Sequence, residues 1–192
     1  MNGTSDRDIV LRTGRLVLAT PSPALADAAR QFFDRNTAHL KPWSPPIPPQ
    51  ANALAYWEDV VDKARTALES GTAIRLWMCP RDQPECVIGS IGYSQISRGP
   101  FCNAILGYQI DAAYEGKGLM KEALHETNRF MFEDFGLHRI SANYRPENVR
   151  SGRLLAAMGF VIEGFARDYL FIDGAWRDHI LTSKVNSGFQ VP

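Results

Sequence analysis

No stretch of the chain approaches the roughly 18 consecutive apolar residues that a membrane-spanning helix requires. Cysteine is scarce: Cys79, Cys86 and Cys102 are the whole supply in 192 residues. None stands in a C-x-x-C pair, none joins the four histidines at metal-ligand spacing, and an odd number argues against a disulfide framework. Charge of one sign is missing as well. Twenty-one Lys and Arg balance 21 Asp and Glu, so nothing in the net charge points to nucleic acid or a membrane surface as partner. The first residues, MNGTSDRDIV, lack the basic run and apolar stretch of a secretory leader. Internal repeats and low-complexity tails are also absent. What remains is 45% apolar and 22% charged, ordinary for one soluble, cytoplasmic domain able to hold its core without metal or disulfides.

Along the chain, RLVLAT (15–20) alternates as a first strand and PALADAARQFFDRN (23–36) reads as a short helix. HLKPWSPPIPPQ follows, and its five prolines argue against regular structure there. Its apolar Leu40 and Trp43 mark it as a packed loop within one domain. Residues 53–70 carry Trp57, Val61, Ala64 and Leu68 at helical spacing, and Gly71 stops them. TAIRLWMC (72–79), CVIGSIGYSQIS (86–97) and NAILGYQID (103–111) are joined too tightly for parallel crossovers, so they form an antiparallel meander. Met120, Ala123, Leu124, Thr127, Met131 and Phe135 mark one face of a helix closed by Gly136. HRISANY (138–144) is a strand and NVRSGRLLAAMGF (148–160) a helix, with Asn148 as N-cap and Gly159 beyond its end. The last segments read as a long hairpin about Asp173-Gly174. The order is mixed α/β and is not that of a doubly wound dinucleotide sheet.

Residues 114–124, YEGKGLMKEAL, set a glycine turn directly before a helix. Such a turn is a natural anion site, because the first helical turn leaves its N–H groups unpaired. A Walker A loop is excluded by spacing and by the missing Ser or Thr. A dinucleotide fingerprint is disfavoured, because no third glycine follows, Lys121 and then Glu122 standing there, and the sheet before it is antiparallel. LGYQIDAAYEGKGLMKEAL followed by HRISANYRPENVRSGRLLAAMGF resembles the acetyl-CoA-binding core of the GCN5-related N-acetyltransferases (GNAT). HLKPWSP and GFARDYLFIDGAWRDHIL are similar to the RimJ/RimL group, and within it to the ribosomal-protein-alanine branch. The resemblance spans about residues 12–183, so one acetyltransferase domain is expected to fill the chain.

That resemblance implies the acyl-CoA N-acyltransferase fold: a mostly antiparallel sheet with a splayed parallel pair and helices on both faces. It implies acetyl-CoA as cosubstrate and no metal. Its pyrophosphate would lie on the N–H groups of Gly116, Lys117, Gly118, Leu119, Met120 and Lys121. Its pantetheine arm would pair like an added strand with the backbone of Gln109 and Ile110. Asn143, Asn148 and Ser151 are further cofactor contacts by the same resemblance. Two departures stand out: Glu115 sets a negative charge beside the proposed pyrophosphate, and Met120 occupies a place usually kept small.

The implied reaction passes acetyl directly from thioester to amine. An α-amine has a pKa near 8, so a modest base suffices. Some family members carry a tyrosine acid seven residues after the helix-starting Asn; Leu155 stands there, and the N-x-x-S pattern leaves Ser151 as the acid. The glutamate common before the Gly-Tyr of the fourth strand is replaced by Ile105. Candidate bases are then Asp168, Asp178, His179 and His39, or one of them acting through water. Trp43, Tyr93 and Tyr108 are candidates to wall the acceptor site. The implied acceptor is the N-terminal alanine of a ribosomal protein, acted on by a monomer or homodimer. A small amine, amino acid or antibiotic as acceptor, and a non-catalytic acyl-CoA-binding module, stay open beside it.

Overall fold

The computed structural model describes residues 8–189. Eight strands, β1 (Val10–Arg12), β2 (Leu16–Ala19), β3 (Ile74–Pro80), β4 (Gly89–Ser97), β5 (Asn103–Ile110), β6 (Arg139–Tyr144), β7 (Val161–Ile172) and β8 (Ala175–Val185), form one sheet among the described residues. Its order is β1-β2-β3-β4-β5-β6-β8-β7. Only β5 and β6 pair in parallel; the remaining neighbours are antiparallel. The helices are α1 (Ala26–Leu40), α2 (Leu54–Glu69), α3 (Leu119–Glu133) and α4 (Val149–Ala157). α3 supplies the crossover that a parallel pair requires.

Alternation along β3 shows why helices cover both faces. Ile74, Leu76 and Met78 point into one core with Leu124 and Met131 of α3. Trp77 and Cys79 point into another with Phe32 of α1 and Trp57 of α2. Each such fully buried apolar side chain contributes roughly 2 kcal/mol.

The position of the site follows from where the parallel pairing stops. β5 and β6 are in register from Asn103↔Arg139 to Leu106↔Ala142 and no further. Beyond Leu106, β5 stays with β4 through Gly107↔Gly92 to Ile110↔Gly89. β6 stays with β8 through Asn143↔Leu181 and Tyr144↔Ile180. A wedge opens between the two arms, as the resemblance implies.

Several boundaries differ from those expected. α1 continues to Leu40, so His39 lies in its last turn and the irregular loop is only residues 41–48. Lys41 is still αR, with φ −48° and ψ −44°, and Pro42 ends the helix because it has no N–H with which to continue the ladder. Pro49 starts a 3-10 helix, Pro49–Asn52, where its missing N–H costs nothing. β1 has three residues, too few for a pattern to register. The hairpin turn is as expected: Asp173 and Gly174 both have positive φ, 49° and 74°, the requirement of a two-residue turn matched to strand twist. The leader argument rests largely on residues 1–7, which lie outside the described residues.

Candidate active site

The wedge opens into a cleft of about 1560 Å³. Its floor is β5. Asp111 N–H donates to Ile88 O, just before β4, at 2.8 Å. Alternation therefore turns the N–H and C=O of Tyr108 and Ile110 into the gap, and those of Gln109 toward β4. Ile110 thus has the backbone aspect expected of it. Gln109 serves differently: its side-chain amide donates to Ser44 Oγ at 2.6 Å.

At the wide end of the wedge lies the glycine turn. Gly116 and Gly118 take φ of +72° and +74°, a left-handed conformation that costs a side-chain-bearing residue about 1 kcal/mol. No acceptor among the described residues takes the N–H groups of Gly116 to Lys121; the first amide bonded back is that of Glu122, to Gly118 O at 3.1 Å. Six successive donors at the start of a fifteen-residue helix form a strong anion site. Met120 is largely buried against the α3 core and reaches the cleft only at its lining. The Lys117 ammonium lies over the Tyr114 ring, 4.9 Å from its centroid, and Lys117 does not line the cleft. Lys121 does.

Arg15 fastens the turn from outside, a role that nothing in the sequence signals. Its Nη1 donates to Lys117 O at 3.0 Å and its Nε to Glu122 Oε2 at 2.7 Å. Burial opposes the Glu122 charge, but hydrogen bonds from Thr13 and from the Arg15 amide and side chain outweigh it and lower the pKa. Glu115 is compensated too. Its carboxylate pairs with Arg150 of α4 and stands 3.4 Å from His39 Nε2.

α4 forms the other wall. Asn148 accepts the Ser151 N–H at 3.1 Å as an N-cap. The far end closes with Phe160 N–H on Leu155 O and Gly159 N–H on Ala156 O, both bonds of a Schellman motif. Leu155 is core. With the cap in place the Ser151 hydroxyl points across the wedge and meets Tyr108 Oη at 2.7 Å. Burial pushes the Tyr108 phenol up to about 12 despite that bond. Two residues that sequence had assigned to different tasks are thus one hydrogen-bonded pair.

The opposite mouth is framed by the proline loop and the hairpin. Trp43 is exposed and lines the cleft, as do Tyr169, Leu170 and His179 of the hairpin. His179 is buried, and its Nδ1 lies 3.0 Å from Arg177 O. A carbonyl can only accept, so Nδ1 carries a proton here, and in the neutral ring the lone pair is on Nε2. Asn143 donates to Tyr169 Oη at 2.9 Å.

Two expected residues are not brought to the cleft chemistry. Tyr93 is wholly buried, its hydroxyl donating to Asn128 Oδ1 at 2.7 Å and hydrogen-bonded to the Thr127 hydroxyl at 2.9 Å, both on α3. Its side chain is a core anchor beneath the cleft lining, with its hydroxyl committed to α3. Asp168 sits at a β-bulge with φ +46°, exposed and outside the cleft lining. Its amide donates to Asp178 Oδ1 at 2.9 Å, so both carboxylates belong to that bulge.

Comparison with known proteins agrees with this geometry. A family model described as an acetyltransferase (GNAT) domain matches residues 15–161. The chain is 39% identical over 173 residues, 90% of its length and 89% of the relative's, to the ribosomal protein uS5-alanine N-acetyltransferase of Escherichia coli. A solved ribosomal-protein-S5-alanine acetyltransferase from Vibrio fischeri superposes with a TM-score of 0.91 at 35% identity, covering 96% of this chain and 100% of that one. Mycobacterium smegmatis RimJ, solved in complex with CoA-disulfide, gives 0.84 at 28% identity over 93% and 86%.

Proposed function

This chain belongs to the GNAT acetyltransferase family, and from that premise we propose that it moves acetyl from acetyl-CoA to the N-terminal alanine α-amine of a ribosomal protein. The observation that carries the acceptor is the 39% identity over nine-tenths of the chain to an enzyme of that specificity. Support for the donor comes from the unpaired amides of Gly116 to Lys121 beside an open strand edge.

In this reading the cofactor pyrophosphate lies on the glycine turn and the pantetheine runs along β5. The acetyl carbonyl accepts from the Ile110 N–H, which holds the developing oxyanion. The neutral amine enters from the Trp43 side and attacks. His179 Nε2 takes the proton of the resulting ammonium, directly or through water. The departing thiolate is met by the Ser151 hydroxyl, itself held by Tyr108. Asn143 and Asn148 hold the walls, Asn148 through the cap that aims Ser151.

The experiment is mass spectrometry of peptides incubated with the protein and acetyl-CoA. The panel holds alanine-, serine- and methionine-starting ribosomal N-termini with free polyamine and aminoglycoside controls. Selective acetylation of the alanine α-amine is expected. Acetylation of the small amines alone would move the acceptor to that class, and cofactor binding without any product would leave a binding module.

A further inference from the structure

The loop of residues 41–48 is fastened to both arms of the wedge. On the β5 side, Gln109 Nε2 donates to Ser44 Oγ at 2.6 Å. On the β6 side, Arg145 follows directly after the strand, and its Nη1 donates to Pro42 O. The same guanidinium lies over the Trp43 ring, 5.5 Å from its centroid. Arg145 is only 12% exposed, so its contacts are little screened. Lys41 adds a solvent-exposed ion pair to Asp173 at the hairpin tip, worth little by itself. Four prolines, at 42, 45, 46 and 48, already remove much of the loop's freedom. Two fastenings and four prolines make a segment that bridges the gap with its side chains fixed.

We propose that Arg145 and Gln109 are positioning residues that hold this loop as a rigid roof over the acceptor mouth, and that this fixed surface sets the preference among acceptor N-terminal residues. The inference rests on the acceptor reading above and extends it to what sets the choice of residue. Trp43 and Ser44 supply the surface. Arg145, from the far arm, fixes the Trp43 plane; Gln109, from the near arm, fixes Ser44. Among the described residues no hydrogen bond joins the roof to the glycine turn, so the pyrophosphate site is held independently of it.

The test uses the full chain with Arg145→Lys, which keeps the charge and loses the planar fork, and Gln109→Leu, which keeps the volume and loses the donor. Gln109→Leu removes a part-buried hydrogen bond, and Arg145→Lys gives up the guanidinium that both bonds Pro42 O and covers Trp43. The alanine-peptide KM is therefore expected to rise about tenfold, and the preference for alanine over leucine N-termini to fall about tenfold. The acetyl-CoA KM should move less than about twofold in either variant. Gln109→Glu, which can accept from Ser44, should restore most of the preference. Hydrogen exchange at Lys41, Trp43, Ser44 and Ile47 should quicken while β3 and β4 stay protected. Unchanged exchange in both variants overturns the roof. Faster exchange with unchanged preference overturns the roof's part in acceptor choice. A wild type inactive on alanine peptides overturns the acceptor assignment instead, and the exchange result still decides whether the loop is held.

Discussion

At Ser151 one residue answers two demands: its N–H caps onto Asn148 and its hydroxyl meets Tyr108 across the wedge. The first contact is local, and the N-x-x-S spacing shows it. The second joins residues 43 positions apart, so nothing in the sequence announces it. A hydroxyl that stabilises a departing thiolate acts in the transition state more than in the ground state. Ser151→Ala should therefore lower kcat about tenfold to a hundredfold with little change in either KM, as expected for one hydrogen bond to a charged group. Tyr108→Phe should act in the same direction and less, because it works through Ser151. Steady-state kinetics decide this; a Ser151→Ala enzyme with wild-type kcat would leave the serine as a cap alone.

At the scale of elements, α4 is set by how closely it lies on β6. Gly152 has no room for a side chain: a Cβ there would stand 2.8 Å from the Tyr144 ring carbons. Gly152→Ala must push the helix away or rotate Tyr144, and overpacking of this kind costs about 1–3 kcal/mol. A shift of a few tenths of an ångström would also draw Ser151 from Tyr108. The expected outcome is a lower urea midpoint together with reduced kcat. An unchanged midpoint would show that Tyr144 gives way freely. The glycine turn is more legible, since Gly116 and Gly118 announce a left-handed backbone before a helix. Arg15, which fastens that turn from 102 residues away, does not.

For the molecule as a whole, two groups of buried ionisable residues bound the pH range of stability. Asp111 is buried where the chain leaves β5 and meets Arg35 of α1 at 2.6 Å. Burial acts against its charge, but hydrogen bonds from Asn36, Ala113 and Arg35 prevail and lower its pKa below 3.8. A lowered carboxyl stabilises the fold above its unfolded pKa, and that contribution is lost as pH falls through the folded value. Tyr108 is opposite in sign. Raised by burial from 10.0 to about 12, it contributes below pH 10, and the contribution disappears as pH climbs toward 12. Tyr93, also raised by burial, follows the same course. Urea midpoints should form a plateau through neutrality, falling on the acid side below the ordinary carboxylate range and on the alkaline side above pH 10. Asp111→Asn should flatten the acid limb and lower the plateau by about 2 kcal/mol, since it leaves Arg35 unpaired. An acid limb of unchanged slope would place the titration elsewhere.

The sequence by itself determined what depends on neighbours along the chain. The α3 stripe from Met120 to Met131, the Asn148 cap, the Gly159 stop and the Asp173-Gly174 turn are local, because helix and turn geometry involve residues a few positions apart. Family resemblance added the glycine turn and the splayed pair. Only the tertiary structure decided what needs distant segments side by side. It sent Tyr93 into the core, because β4 lies under α3. It put Asp168 on an outer bulge and His179 at the cleft, two sides of one hairpin that sequence cannot tell apart. It turned Gln109 toward Ser44 and joined Tyr108 to Ser151. These pairings rest on strand register and on where the parallel pair separates, and both are fixed by packing over more than 30 residues of separation.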